Sequence, residues 1–104
     1  MESKTNLEIL EDVVIVTLEG KLDAVKAPEL MEELKKLAGM NLSKIIFYAH
    51  KLEYISSAGL RTIIFAKQRI GMDSEVYFIG ANEEVMDVIK MSGLDNFLIL
   101  TDEL

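Results

Sequence analysis

The segment richest in reactive groups is Tyr54-Ile55-Ser56-Ser57-Ala58-Gly59-Leu60, two hydroxyls and two small residues leading into an apolar periodic run. A serine just ahead of a helix accepts from a first-turn N–H, so one reading is a helix cap with close packing at Gly59. The other reading makes one of the two hydroxyls a phosphate acceptor. A phosphate there would meet unpaired backbone N–H groups and the positive helix end, so the fold could hold it. It would add about −1.5 to −2 charges. A hydrolytic pairing of His50 with a serine needs an orienting group and an oxyanion site. The chain has one histidine and no nucleophile-elbow motif, so His50 is expected as a solvated loop residue.

Other chemistries fall on counting. The chain has 104 residues, no cysteine and a single histidine. That excludes disulfides, thiolate zinc sites, cysteine nucleophiles and histidine-rich metal centres. No carboxylates follow calcium-loop spacing, and Gly-x-x-x-x-Gly-Lys is missing, so neither metal nor cofactor is expected. Eighteen acidic against 11 basic side chains give a net charge of −7. Such a surface repels phosphate backbones and anionic headgroups, so direct nucleic-acid or membrane binding is not expected. Glu29, Glu32 and Glu33, like Glu83, Glu84 and Asp87, read as solvated helix faces. No secretory signal is visible and no apolar run is long enough to span a bilayer, so the expectation is a cytoplasmic protein that is not an enzyme.

The elements that must position the serines follow from periodicity. Leu7–Leu10 and Val13–Leu18 flank Glu11-Asp12 and predict a hairpin, the second run reading as a strand buried on both faces and closed by Gly20. Leu30, Met31, Leu34, Leu37 and Ala38 form one helical stripe, started near Pro28 and stopped by Gly39. Ile45–Tyr48 predicts a short central strand, followed by a connector over 49–54. Leu60, Ile63, Ile64, Lys67 and Ile70 mark a second helix ending at Gly71. Val76–Ile79 predicts a strand, Asn82 caps a third helix with Val85, Val88 and Ile89 buried, and Phe97–Leu100 predicts the last strand. Met31, Met86 and Met91 are expected to fill core space on these helices. The order ββαβαβαβ implies one α/β domain over residues 1–104. It would hold a mixed, mostly parallel sheet of four to five strands with an N-terminal hairpin and helices packed on it.

Three segments carry a family resemblance. Leu52-Glu53-Tyr54-Ile55-Ser56-Ser57-Ala58-Gly59-Leu60-Arg61 resembles the signature of the STAS domain, in particular of bacterial anti-sigma factor antagonists. Gly20-Lys21-Leu22-Asp23-Ala24 is similar to the family's Gly-x-Leu/Ile-Asp turn. Met91-Ser92-Gly93-Leu94-Asp95-Asn96-Phe97 resembles its closing Leu-x-x-[Ser/Thr]-Gly-Leu-x-x-x-Phe motif, with two residues rather than three between Leu94 and Phe97.

The resemblance implies a protein that, unphosphorylated, binds an anti-sigma factor that is also a serine kinase, and so frees a sigma factor. Serine phosphorylation ends the binding and a phosphatase restores it. The phosphoacceptor aligns with Ser57, and Asp23, Ser56, Gly59 and Leu60 share its partner-binding surface. Ser56 stands where relatives often carry Asp. Tyr48 replaces a common Asp at the end of the central strand, which motivates an alternative: a constitutive scaffold or accessory subunit with no phosphoswitch, in which Ser57 is only a helix cap. A small-ligand sensor with a pocket near Tyr48 and Tyr54 is a third reading.

Overall fold

The computed structural model describes residues 4–103. The predicted hairpin is present as β1 (Lys4–Leu10) and β2 (Val13–Leu22), paired antiparallel from Lys4↔Glu19 to Leu10↔Val13 without a register shift. Of its two loop residues, Glu11 holds a φ of 58°. That left-handed conformation brings Cβ close to the following carbonyl oxygen, and hairpin turns usually place glycine there.

From β2 onward, helices and strands alternate: α1 (Lys26–Lys35), β3 (Lys44–Ile55), α2 (Ser57–Phe65), β4 (Glu75–Ile79), α3 (Glu83–Met91) and β5 (Ile99–Thr101). The sheet order is β1-β2-β3-β4-β5, with every pair after the hairpin parallel. Right-handed crossovers in an order that never reverses stack successive helices on one face. The burial pattern agrees. Val14, Val16, Leu18, Ile45, Phe47, Val76 and Phe78 form a fully covered layer with Leu30, Leu34, Ile63 and Ile89 from the helices. Ile15, Thr17, Tyr48 and Tyr77, on the opposite face, are only half-buried. Truncating one of the covered leucines to alanine would cost about 2–5 kcal/mol.

Local chemistry sets the helix ends. Asn82 accepts from the Val85 N–H at 2.8 Å at the start of α3, and its amide donates to the Leu52 carbonyl at 3.2 Å, tying helix to sheet. α2 continues into one π-helical turn, Ala66–Ile70, closed by the Gly71 N–H donating to the Ala66 carbonyl at 2.7 Å. The Lys67 ammonium donates to the Gly71 and Ser74 carbonyls, where the negative helix end favours a cation.

Five expectations change. β2 is not buried on both faces: it alternates buried and half-buried residues, because helices cover only one side. It also runs past Gly20 to Leu22. Residues 49–54 are not a connector but the second half of β3, with His50 on the strand. Two register shifts accompany this extension, Ala49 and His50 together opposing Leu18, and Glu53 standing as an extra residue opposite the Gly20-Lys21 step. The last strand starts at Ile99 rather than Phe97, because Leu94–Asn96 forms a 3-10 turn that leaves Phe97 exposed. Met91 is 88% exposed and fills no core space.

The strained turn gives a direct test. Glu11→Gly relieves the left-handed φ, and is expected to stabilise the domain by about 1 kcal/mol after the entropy lost by glycine. Thermal melting should show this as a rise of about 4–8 °C. An unchanged or lower midpoint would mean that the turn stores no strain.

Candidate functional site

β2 and β3 end side by side, with Leu22 opposite Ile55. α1 and α2 start just beyond them, so two helix starts meet at the carboxyl edge of the parallel strands, where open α/β sheets place their sites. The Leu22 carbonyl joins them. It accepts from the Ser56 N–H at 2.9 Å and from the Ser56 hydroxyl at 3.0 Å.

Ser56 is extended, with φ −89° and ψ 173°, and its Oγ accepts from the Gly59 N–H at 3.1 Å. Its carbonyl accepts from the Leu60 N–H at 2.8 Å. Ser56 is therefore the cap, not Ser57 as the scaffold reading had it, because Ser57 already lies inside the helix. Gly59 is forced by contact: a Cβ there would lie 2.7 Å from the Leu22 carbonyl oxygen and 2.9 Å from Ile55 Cγ1. Leu60 packs half-buried against the core. Ser57, the first residue of α2, is exposed, and its hydroxyl has no hydrogen-bond partner among the described residues.

Asp23 starts the other helix. Its Oδ1 accepts from the Val25 and Lys26 N–H groups, both at 3.0 Å, while its carbonyl accepts from the Ala27 N–H at 2.9 Å. Regular α1 geometry begins at Lys26, yet the cap is Asp23, a difference of the size usual at helix ends. The Lys26 amide, foremost, holds the carboxyl below its ordinary value; desolvation works against it, and the Val25 amide and Lys21 charge add to the lowering. Thr62, which the sequence reading passed over, is buried between the helices. Its hydroxyl donates to the Ala58 carbonyl at 3.0 Å and lies 3.5 Å from that of Ala27. The five expected residues thus share one edge: Ser56 and Asp23 hold the helix starts, Gly59 permits the approach, and Ser57 is left outward.

Tyr48 and Tyr54 do not share a pocket. Tyr48 lines a groove of about 250 Å³ with Thr17, Leu18, Glu19, His50 and Lys51, whereas Tyr54 lines one of about 180 Å³ with Glu53, Ile55, Glu84, Val85 and Val88. Both fall below the size usual for ligand pockets. His50 stacks on Tyr48 with ring centroids 5.8 Å apart and fills the space above Gly80, where a side chain would collide with its ring. Among the described residues, no group of three or more carboxylate or imidazole side chains could hold a metal ion, and no helix is long and apolar enough to cross a membrane.

Residues 4–104 match the model of the STAS domain, and the chain belongs to that family. BtrV of Bordetella bronchiseptica, provisionally named an anti-sigma factor antagonist, is 28% identical over 91 residues, covering 86% of this chain and 78% of BtrV. Among solved structures, an anti-sigma factor antagonist from Mycobacterium paratuberculosis superposes with a TM-score of 0.84 at 20% identity, over 99% of this chain and 88% of that one. The anti-sigma factor antagonist SpoIIAA in its unphosphorylated form gives 0.79 at 13% identity, over 97% of this chain and 90% of that one. Phosphorylated SpoIIAA, from Bacillus, gives 0.75 at 16% identity, over 93% and 90%. These likenesses establish the fold.

The division of labour between the serines is measurable. Ser56→Ala is expected to cost about 0.5–2 kcal/mol of stability, whereas Ser57→Ala is expected to be near neutral. Denaturant unfolding of both variants checks this, and equal losses would contradict the assignment of the cap. Asp23 supplies a pH test. Because its folded value is depressed, its contribution is present above the ordinary 3.8 and disappears as pH falls through the lower folded value. Asp23→Ala should therefore melt below the wild type at pH 7, with the gap closing at pH 2. A gap constant across that range would show that the carboxylate charge is not what the helix start uses.

Proposed function

We propose that this domain is an anti-sigma factor antagonist. Unphosphorylated, it binds an anti-sigma factor that is also a serine kinase and so releases a sigma factor; phosphorylation of Ser57 ends the binding, and a phosphatase restores it. The observation that carries this reading is the placement of Ser57. Its hydroxyl is exposed and unpartnered beside a neighbour, Ser56, that already caps the helix. Modification at Ser57 therefore breaks no contact of the fold. BtrV and SpoIIAA carry the antagonist name, and SpoIIAA has been solved in a phosphorylated form, which supports the same reading.

In the transfer, the γ-phosphoryl group of ATP would pass to Ser57 Oγ while ADP leaves and the hydroxyl proton is released. The chain is the substrate and binding partner in this step, not its catalyst. Residues 1–104 would act as one domain, in the cytoplasm where ATP and the transcription machinery are found. The partner surface comprises Asp23, Ser56, Ser57, Gly59 and Leu60, with the first two holding its shape. A phosphate pressed against an apolar or acidic partner surface must be desolvated, which costs several kcal/mol when it is unpaired. Each ~1.4 kcal/mol is a tenfold loss of affinity.

Incubation with the anti-sigma factor and ATP, followed by mass spectrometric mapping, should place the phosphate on Ser57. Ser57→Asp should weaken binding at least tenfold while Ser57→Ala retains it. Full binding by both variants, with no phosphate on Ser57, would instead support the scaffold reading that Tyr48 motivates.

A further inference from the structure

α2 carries Arg61 four residues after Ser57. Side chains at that spacing stack on one helix face, and the later one leans toward the N-terminus, over the earlier. Both residues are exposed, and neither makes a hydrogen bond or ion pair among the described residues. The lysines of α1 and its following turn are engaged by contrast, in Lys26–Glu29, Lys35–Glu32 and Lys36–Glu33. Arg61 lines a groove of about 300 Å³ with Pro28, Met31, Glu32 and Lys35, in which two cations face one carboxylate that Lys35 already holds at 3.6 Å. No acidic residue occupies the first turn of α2. On a chain of net charge −7, this is a locally cationic place beside an unpartnered hydroxyl.

We infer that Arg61 is the internal counter-ion of phosphorylated Ser57. The guanidinium matches phosphate oxygens in a bidentate fork, and a phosphate at a helix N-terminus opposite arginine gains charge-assisted hydrogen bonds. The first-turn N–H groups of Ser57 and Ala58, which have no acceptor among the described residues, face the same region. This rests on the reading of Ser57 as the phosphoacceptor and adds a second component to the switch. Phosphorylation places an anion at the surface and also withdraws a cation. In the unphosphorylated domain Arg61 remains available to an acidic partner surface; in the phosphorylated domain it is occupied internally.

The full chain with phosphoserine genetically incorporated at position 57 tests the pairing without any kinase. Its phosphate is titrated by phosphorus NMR through its second ionisation, near pH 6, in wild type, Arg61→Gln and Arg61→Lys. Arg61 is exposed, so both variants keep the fold. Glu32, which lines the groove with Arg61, and Asp23 at the neighbouring helix start oppose the pairing but are common to all three proteins. Arg61→Gln is expected to raise the phosphate value by about 0.3 pH unit at low salt. Arg61→Lys should retain part of the shift, and 1 M salt (Debye length about 3 Å) should narrow the gap. Identical titrations of wild type and Arg61→Gln at low salt would overturn the inference. Failure of a kinase to label Ser57 would instead sink the switch and leave this titration unchanged, so the two claims fail separately.

Discussion

One carbonyl oxygen organises the edge at which α1 and α2 start. Leu22 closes β2, and its oxygen receives both the N–H and the hydroxyl of Ser56. Two bonds from one residue to one atom fix the origin of α2 relative to the sheet. Asp23 follows immediately and starts α1, so both helices leave from a single point. The close approach leaves no room for a side chain at Gly59, which lies against the same carbonyl. A buried carbonyl without partners would cost about 1–3 kcal/mol, so this junction resists loosening. Ser57 is left exposed because its neighbour Ser56 already supplies both the cap and the tie to the sheet.

That arrangement separates the stability of the domain from its signal. The covered layer of Val14, Val16, Phe47, Phe78 and the helix leucines lies beneath the junction and does not include Ser57. A charge added at the surface of α2 is therefore felt by whatever touches that surface, while the core is unaffected. The overall acidity of the chain contributes little to this, since exposed charges more than about 8–10 Å apart are screened at physiological salt. Position matters more than the total.

Helix ends were legible in the sequence because capping is local chemistry. Asn82 and Gly93 bound α3 where their residue types say they should. The second half of β3 was not legible. Its alternation is broken where Ala49 and His50 together oppose Leu18 and where Glu53 has no opposite residue, and such irregularities depend on the neighbouring strand. The half-exposed face of β2 was missed for a related reason, since an apolar run does not record how many layers cover it. The site motif was legible as a segment, but which of its two serines caps α2 was not. Ser56 is the cap because Leu22, 34 residues earlier, offers its carbonyl. Tyr48 and Tyr54 line different grooves because six residues of extended strand hold them about 20 Å apart.

The strand order has a consequence for how the chain reaches this state. Each strand lies beside the one preceding it in sequence, and no later strand must insert between two earlier ones. Each parallel pairing closes a span of tens of residues, as in Val13↔Lys44, Lys44↔Glu75 and Tyr77↔Ile99, a cost that grows only slowly with length. The junction at Leu22 draws its bonds only from β2, β3 and the start of α2, and none from β4, α3 or β5. The edge at Leu22 thus depends for its contacts on the first part of the chain, and the later strands extend the sheet away from it.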